Sequence, residues 1–334
     1  MKYRNNYFDF LRGIAIIMVI GIHTFPSIHD MNDISDWVII FIRQILNCAV
    51  PLFLAISGYF IAQKDLDTLS NKFSFWKKQI PAIYIPCLVF SFGWFFLYIA
   101  NRGVNSILIG LANLIVCGFS VYYFIILMIQ LYLITPFLLK INKKMGGKGI
   151  IATSLISTSY ILILSYMMYV EGMSFALVTY AGPFACWIVF YMLGIWHSTN
   201  PRKNNLKLAI ILITIGYIGS IIECYIYFPI HGTGLGIKLS SFIFSAGIII
   251  LLFSKQMENL FSLNKLTQII LYIGEISFGI YFLHMYVISL LNQFNLLDNW
   301  MINWVITLLV TSILIIITKL ILPKNFAIKY LGFR

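Results

Sequence analysis

The sequence predicts an all-α, polytopic membrane protein with about ten transmembrane helices and both termini in the cytoplasm. Of its 334 residues, 60% are hydrophobic and only 10% are charged. Soluble domains average about 45–50% apolar and about 25% charged residues. Long apolar runs recur along the whole chain, and the basic residues fall in short clusters between them. This pattern argues against a soluble enzyme, and also against a disordered chain, which needs low hydrophobicity.

Each predicted span is an apolar run long enough to cross the hydrocarbon core, which takes about 20 residues of helix. Ten runs meet this requirement, at 8–27, 37–62, 80–99, 120–141, 149–169, 178–197, 206–228, 236–254, 267–291 and 301–322. The run at 105–118 is too short and is predicted to be re-entrant or interfacial. We expect residues 1–334 to form a single integral membrane domain, with an uncleaved first span.

The distribution of basic residues supports this count independently, because cytoplasmic loops carry most Lys and Arg. With the N-terminus inside, twenty of the 23 basic residues fall in inner segments; Arg102 and Lys238 fall outside, and Arg43 lies within a span. The first outer loop, 27–36, has three Asp and no basic residue. Topology therefore accounts for the net charge of +12, and there is no basic stripe for nucleic acid. We expect a multi-pass protein of the cell membrane.

The sequence lacks paired cysteines and several common catalytic motifs, and this restricts the kinds of reaction it can catalyse. The five cysteines fall in apolar stretches without a CxxC pair, so we expect buried thiols that pack as small hydrophobes. No residues stand at metal-ligand spacing, and no metal is expected. The sequence has no P-loop, GxSxG, HExxH or dinucleotide motif. Any catalysis must therefore rest on few groups, and the candidates are a histidine base, a cation and a donor that brings its own activated bond.

The first span carries three polar side chains, Asp9, Arg12 and His23. Arg12 and His23 are eleven residues apart, so they share a helix face about 16 Å apart along the axis. A cation and an imidazole on one face indicate a polar path through the bundle. The alternatives are that Arg12 extends to the inner headgroups and that His23 only bonds a neighbouring helix. Asp9 precedes Arg12 by three residues, which predicts an ion pair.

The second span has the features of a broken helix that lines a cavity. It carries Arg43 near its outer end, Pro51 near its middle and Ser57-Gly58-Tyr59 near its inner end. Pro51 should kink the helix, and Gly58 permits close backbone approach. Ordinary packing by small residues is the alternative.

Two further spans add polar groups to this picture. Gly274, Ser277, Tyr281 and His284 recur on one face of the ninth span. Two layers are predicted. The outer layer holds His23, Arg43, Glu223 and His284, and the inner layer holds Arg12, Ser57, Tyr59 and Glu275.

Several segments together resemble the acyltransferase-3 family of integral membrane acyltransferases, in its short ten-helix form without an extracytoplasmic hydrolase-like domain. The first is Arg12 followed by ten residues and His23. The others are Val-Pro-Leu-Phe-Leu-Ala-Ile-Ser-Gly-Tyr at 50–59, Lys-Lys-Gln-Ile-Pro at 77–81, Leu-Tyr-Leu-Ile-Thr-Pro at 131–136 and Ser-Phe-Gly-Ile-Tyr-Phe-Leu-His at 277–284. The chain departs from the family at Val121 and Tyr123, where members often have His and Trp.

The resemblance implies transfer of an acyl group, usually acetyl from acetyl-CoA, to a hydroxyl of a cell-envelope glycan, such as a polysaccharide, or its lipid-linked precursor. The catalytic candidates are Arg12 and His23, with His23 as general base or transient acyl carrier. The donor-binding candidates are Arg12, Ser57, Gly58, Tyr59, Lys77 and Lys78. The supporting or acceptor-side candidates are Asp9, Arg43, Glu223, Glu275, Ser277, Tyr281 and His284.

Two other functions stay open at this point. A transporter or flippase for a lipid-linked glycan or polysaccharide would use intramembrane polar groups and a broken helix equally well. A membrane sensor is disfavoured, because no segment is long and polar enough to fold outside the bilayer. The expected partners are the acyl-CoA, the acceptor and membrane lipid, and the oligomeric state is open, a homodimer included.

Overall fold

A bundle of α-helices makes up the protein, in a computed structural model that describes residues 5–26, 34–200, 205–231, 236–294 and 299–333, without the side chains of 34–35 and 228–231. The described residues form no strand. The helices are α1 (Asn6–Thr24), α2 (Ile34–Leu46), α3 (Ala49–Ile61), α4 (Leu69–Arg102), α5 (Ile107–Ile115), α6 (Tyr123–Met145), α7 (Gly147–Ser165), α8 (Leu177–Ala181), α9 (Phe184–Thr199), α10 (Leu206–His231), α11 (Leu239–Leu252), α12 (Lys255–Leu260), α13 (Lys265–Glu275), α14 (Ser277–Gln293), α15 (Trp300–Ile321) and α16 (Lys324–Leu331). The predicted all-α membrane fold is confirmed.

Seven of these helical segments are long and apolar enough to span a membrane, within the part of the chain that is described. They are Asn6–Thr24, Asp36–Ile61, Leu69–Arg102, Tyr123–Met145, Gly147–Val170, Leu206–Tyr227 and Trp300–Ile321. Helices α13 and α14 form an eighth candidate, bent by 79°. Two further predicted spans coincide with α9, of 16 residues, and α11, of 14 residues. Ten predicted spans thus correspond to seven long helical segments, one of them interrupted between α2 and α3, one bent pair and two shorter helices.

Some topology predictions concern residues outside the described part of the chain. These are the inner-side Lys2, Arg4, Arg202, Lys203 and Arg334, and the stretch 27–33 of the first outer loop. The segment at 105–118 contains the short apolar helix Val104–Ile115, too short to cross a membrane, as predicted.

The break in the second predicted span differs in position from the expectation. The chain turns at Asn47 and Cys48, between α2 and α3, and not at Pro51. Pro51 is the third residue of α3, where its missing N–H has no intrahelical acceptor to lose. The helix is therefore broken, but Pro51 begins the second half instead of bending it.

Contacts with several helices position α1 near the centre of the bundle. Helix α1 contacts α3, α13, α14 and α15, and its crossing with α13 is made by Gly13 and Gly274. A Cβ at Gly13 would overlap the carbonyl oxygen of Ile270, and one at Gly274 would overlap that of Asp9. Small residues let membrane helices approach in this way. The crossing brings the break between α13 and α14 against the Arg12 turn of α1.

The most deeply buried helix is α9, eleven of whose 16 residues are buried. A helix that is apolar all round belongs in a core or a membrane. It packs against α3, α6 and α7, while α4, α10 and α15 present large apolar side chains outward, such as Phe96, Ile215 and Leu320. The bundle thus has a protein core inside and a lipid-facing apolar surface outside.

Candidate functional site

A cavity of about 610 Å³ lies between α1, α3, α4, α6 and the α13–α14 break. This volume is within the range of small-molecule sites. Apolar and aromatic side chains make up most of the wall. Its polar lining residues are Asn5, Asp9, Arg12, His23, Ser57, Gln63, Gln79, Tyr123, Tyr132, Glu275, Ser277 and Tyr281.

Helix α1 runs along this cavity and contributes both residues of the predicted polar face. Arg12 and His23 line the same cavity, three helical turns apart, with Val19 between them. We refer to the two regions as the Arg12 end and the His23 end. The shared face that the eleven-residue spacing predicts is therefore present.

At the Arg12 end, the guanidinium is paired. Its Nη1 lies 2.5 Å from Oδ1 of Asp9, and its carbon lies 4.9 Å from the centre of the Phe60 ring. Asp9 is buried, with 2% of its surface exposed, while Arg12 keeps part of its side chain open to the cavity. Ser57 and Glu275 line the wall nearby. The pair that the i,i+3 spacing predicts keeps a cation at the cavity without leaving Asp9 uncompensated.

The break between α13 and α14 supplies a second stretch of the wall. Glu275 ends α13, Ile276 forms the bend, and Ser277 begins α14. Tyr281, one turn on, donates a hydrogen bond from its hydroxyl to the carbonyl oxygen of Val121 at 2.9 Å. The bend lies within the predicted span 267–291, and Glu275 and Ser277 on its two sides line the same cavity.

At the His23 end, two histidines meet. The ring centres of His23 and His284 are 5.5 Å apart, with 42° between the ring planes. His284 is fully buried, and its Nδ1 lies 3.1 Å from the carbonyl oxygen of Ile280. His23 lines the cavity and His284 does not. The structure thus brings His23 and His284 of the predicted outer layer into ring contact, with Arg43 in electrostatic range of His23.

Four of the donor-binding candidates lie outside the cavity wall. Gly58 faces α9, where a Cβ would overlap the carbonyl oxygen of Tyr191. Tyr59 stacks on Phe8 with ring centres 4.3 Å apart. Lys77 and Lys78 are exposed on the first turns of the long helix α4, immediately before the cavity-lining Gln79.

Arg43 and Glu223 belong to a polar cluster between α2, α10 and α11, and Arg43 is also close enough to His23 to interact with it electrostatically. Arg43 donates to Asn47, which lies 3.5 Å from the Ser241 hydroxyl. The Lys238 ammonium donates to Oε1 of Gln44 at 2.6 Å and to the Ser220 carbonyl at 3.0 Å. Glu223 accepts hydrogen bonds from the backbone N–H and hydroxyl of Ser240. These residues do not line the cavity, and their contacts fasten three helices together.

Sequence reasoning missed several polar lining residues. Asn5 caps α1 by accepting from the backbone N–H groups of Tyr7 and Phe8, and it also lines the cavity. Gln63 and Gln79 lie just beyond α3 and within α4. A cap signal was available for Asn5, but the two glutamines stand among ordinary polar residues at a membrane boundary.

Comparison with known proteins places this helical bundle in a family of membrane enzymes. The model of the acyltransferase-3 type acyltransferase domain matches residues 5–322. A curated relative is YfiQ of Bacillus subtilis (strain 168), provisionally named a membrane-bound acyltransferase. It is 23% identical over 309 residues, which cover 83% of this chain and 79% of YfiQ. No solved structure matches the chain.

The chain therefore belongs to the acyltransferase-3 family and is a multi-pass membrane acyltransferase. The family match favours the enzyme over the transporter that the sequence alone left open.

Proposed function

We propose that this protein transfers an acyl group, most simply acetyl, from acyl-CoA to a hydroxyl of a cell-envelope glycan or its lipid-linked precursor. One observation carries the proposal, namely that Arg12 and His23 line a single cavity of about 610 Å³. A cavity with a cation at one end and an imidazole at the other suits a long donor that is anionic at one end and reactive at the other.

We assign the Arg12 end to the donor and the cytoplasmic side. Arg12 is about 16 Å from His23 along the helix axis, and helical side chains lean toward the N-terminus, away from His23. Arg12 therefore suits the donor's polar portion better than the reacting carbonyl. The exposed Lys77 and Lys78, next to Gln79, offer charge to the CoA phosphates outside the cavity.

We assign the His23 end to the chemistry. A neutral imidazole can take the proton of the acceptor hydroxyl as that oxygen attacks the thioester carbonyl. Alternatively, His23 itself attacks and carries the acyl group briefly. In the direct route the C–S bond breaks as the acceptor oxygen bonds to the acyl carbon, and the thiolate takes the acceptor's proton by way of His23. In the acyl-histidine route the C–S bond breaks when His23 attacks and the thiolate leaves first; the acceptor oxygen then takes the acyl group from His23, and its proton is released to give free thiol overall. Acceptor-side support comes, in this proposal, from Ser277, Tyr281 and His284, with Glu275 and Asp9 setting the charge around Arg12.

The test uses purified protein in lipid vesicles with acetyl-CoA labelled in the acetyl group and an envelope lipid extract as acceptor. Release of free CoA thiol and the fate of the label are followed. We expect His23→Ala to lower turnover by about 10²–10⁴-fold, the contribution of a general base. His197→Ala, the same change at a buried histidine outside the cavity, serves as the control.

Label retained on wild-type protein but not on His23→Ala would favour the acyl-histidine route. A folded His23→Ala protein with near wild-type turnover would overturn the role of His23. Wild-type protein that neither binds nor turns over acetyl-CoA would overturn the donor assignment.

A further inference from the structure

The histidine pair at the His23 end contains a buried ring nitrogen that no described residue satisfies. His284 is 0% exposed, and its Nε2 has no hydrogen-bond partner among the described residues. Buried polar atoms are nearly always hydrogen-bonded, so an exception of this kind points to a partner acquired in use.

The hydrogen bond on the other side of the ring fixes which nitrogen carries the proton. Nδ1 of His284 lies 3.1 Å from the carbonyl oxygen of Ile280. A carbonyl oxygen can only accept, so Nδ1 must donate. Nε2 of the neutral ring is then bare and can only accept. The hydrogen bond from Nδ1 to the backbone of α14 therefore leaves Nε2 of His284 as a hydrogen-bond acceptor inside the bundle.

The position of His284 indicates which group can donate a hydrogen bond to its Nε2. Its ring centre is 5.5 Å from that of His23, and His23 lines the cavity whereas His284 does not. A substrate in the cavity reaches His23 and not His284. Hydrogen bonds in free enzymes are often long and tighten in the reactive complex. Of the two histidines, His284 can thus act only through His23.

We propose that His284 is a positioning residue for His23, which rests on the function proposed above. In the reactive complex, the second ring nitrogen of His23 donates its hydrogen to Nε2 of His284. This contact leaves the cavity-facing nitrogen of His23 bare and ready to act. When that nitrogen takes the proton of the acceptor hydroxyl, the imidazolium keeps its hydrogen bond to His284. The acceptor oxygen bonds to the acyl carbon, the C–S bond breaks, and the proton passes from His23 to the leaving thiolate.

The test compares variants at position 284 by their kcat and their KM for acetyl-CoA. His284→Leu removes the hydrogen-bond acceptor Nε2 with little change in side-chain volume, and we expect kcat to fall by about 10²-fold. KM should stay within about twofold, because His284 does not touch the donor. His284→Gln places an amide oxygen near the position of Nε2 and should recover at least tenfold of the loss. His284→Asn, whose amide is one bond too short, should not.

Coupling to His23 completes the test, because residues that act as a unit are strongly non-additive. In a His23→Ala background, His284→Leu should cause no further loss. Full kcat in folded His284→Leu, or equal kcat in the Gln and Asn variants, would overturn the positioning role. If either of these results is found while His23→Ala is inactive, only the positioning role fails and the proposed function stands. An active His23→Ala would instead refute the proposed function itself.

Discussion

At the residue scale, Arg12 has a dual environment. It forms an ion pair with Asp9, three residues earlier on the same helix, and its guanidinium lies over the ring of Phe60 on α3. A charge within a membrane span is costly unless it is paired or faces a cavity, and Arg12 meets both conditions. The planar group is therefore oriented by two neighbours before any ligand is bound.

Arg12→Lys tests whether this orientation matters for the donor. We expect the KM for acetyl-CoA to rise about tenfold while kcat changes less, because Lys keeps the charge but loses the planar fork and the ring contact. Steady-state CoA release at varied acetyl-CoA concentrations measures both constants. Arg102→Lys, an exposed residue outside the cavity, is the control. Unchanged kinetics in Arg12→Lys would contradict the donor assignment.

Sequence reasoning succeeded at this scale where the relevant partners lie on one helix. The spacing of Asp9, Arg12 and His23 was enough to predict the ion pair and the shared face. It could not predict the contact between His23 and His284, since helical periodicity gives the face a residue occupies and not the helix that faces it. Arg43 belongs to the cluster around Lys238 and also interacts electrostatically with His23, whereas Glu223 lies in that cluster beside Ser240.

At the element scale, the crossing of α1 and α13 is set by two glycines. Gly13 and Gly274 bring the two backbones together so closely that neither position has room for a Cβ. The break after Glu275 then lies against the cavity. The geometry of the Arg12 end therefore depends on the absence of two side chains.

Gly274→Ala should lower stability, because a methyl group there must push α13 away from Asp9. Overpacking of this kind costs about 1–3 kcal/mol, and we expect an apparent Tm lower by several °C. The control is Gly147→Ala at the start of α7, where nothing lies within 4 Å of an added Cβ. Thermal aggregation followed by size-exclusion chromatography in detergent compares the two. Equal midpoints would show that the crossing tolerates separation.

The two helix breaks show the limit of hydropathy at this scale. Apolar residues continue through both 37–62 and 267–291, so each was predicted as one span. The turn at Asn47 and the bend at Ile276 depend on how neighbouring helices pack, and composition does not encode that. The kink was predicted at Pro51 and not at Asn47 because proline usually disrupts a helix. Proline is tolerated in the first helical turn, however, and Pro51 lies in the first turn of α3.

At the scale of the whole molecule, the apolar outer surface and the charge distribution define how the bundle sits in a bilayer. Most inner-segment Lys residues that the structure describes are exposed, including Lys144 at the end of α6. The positive-inside rule predicts that this end faces the cytoplasm and that the segment after α4 faces outward.

Thiol labelling in intact bacterial cells tests that orientation. Asn105→Cys should react with a membrane-impermeant maleimide, and Lys144→Cys should react only after the cells are broken. The five native cysteines are free and buried, so background labelling should be low. Both introduced positions are exposed, which makes them a matched pair. The opposite pattern would invert the topology and the assignment of the donor side.

Composition and charge were sufficient to predict the all-α membrane fold, whereas the family resemblance depended on short motifs such as Arg12 followed by ten residues and His23. The lengths of the helices were less predictable, because α9 and α11 are shorter than the predicted spans 178–197 and 236–254 with which they overlap. The length of an apolar run shows how many residues can lie in the hydrocarbon core, whereas the length of a helix also depends on turns and on polar contacts with neighbouring helices.

The aromatic rings around the cavity carry a consequence for permeability. Phe53 lies 6.4 Å from Phe124, and Phe124 lies 5.9 Å from Tyr281, measured between ring centres, and all three line the cavity. Apolar constrictions exclude water and thereby block ions. In the proposed function these rings border the space for the acyl group, and we expect them to exclude water from it as well. On the same reasoning, replacing them with smaller side chains to admit a longer acyl chain would also admit water, so a broader donor range would come with a leakier bundle.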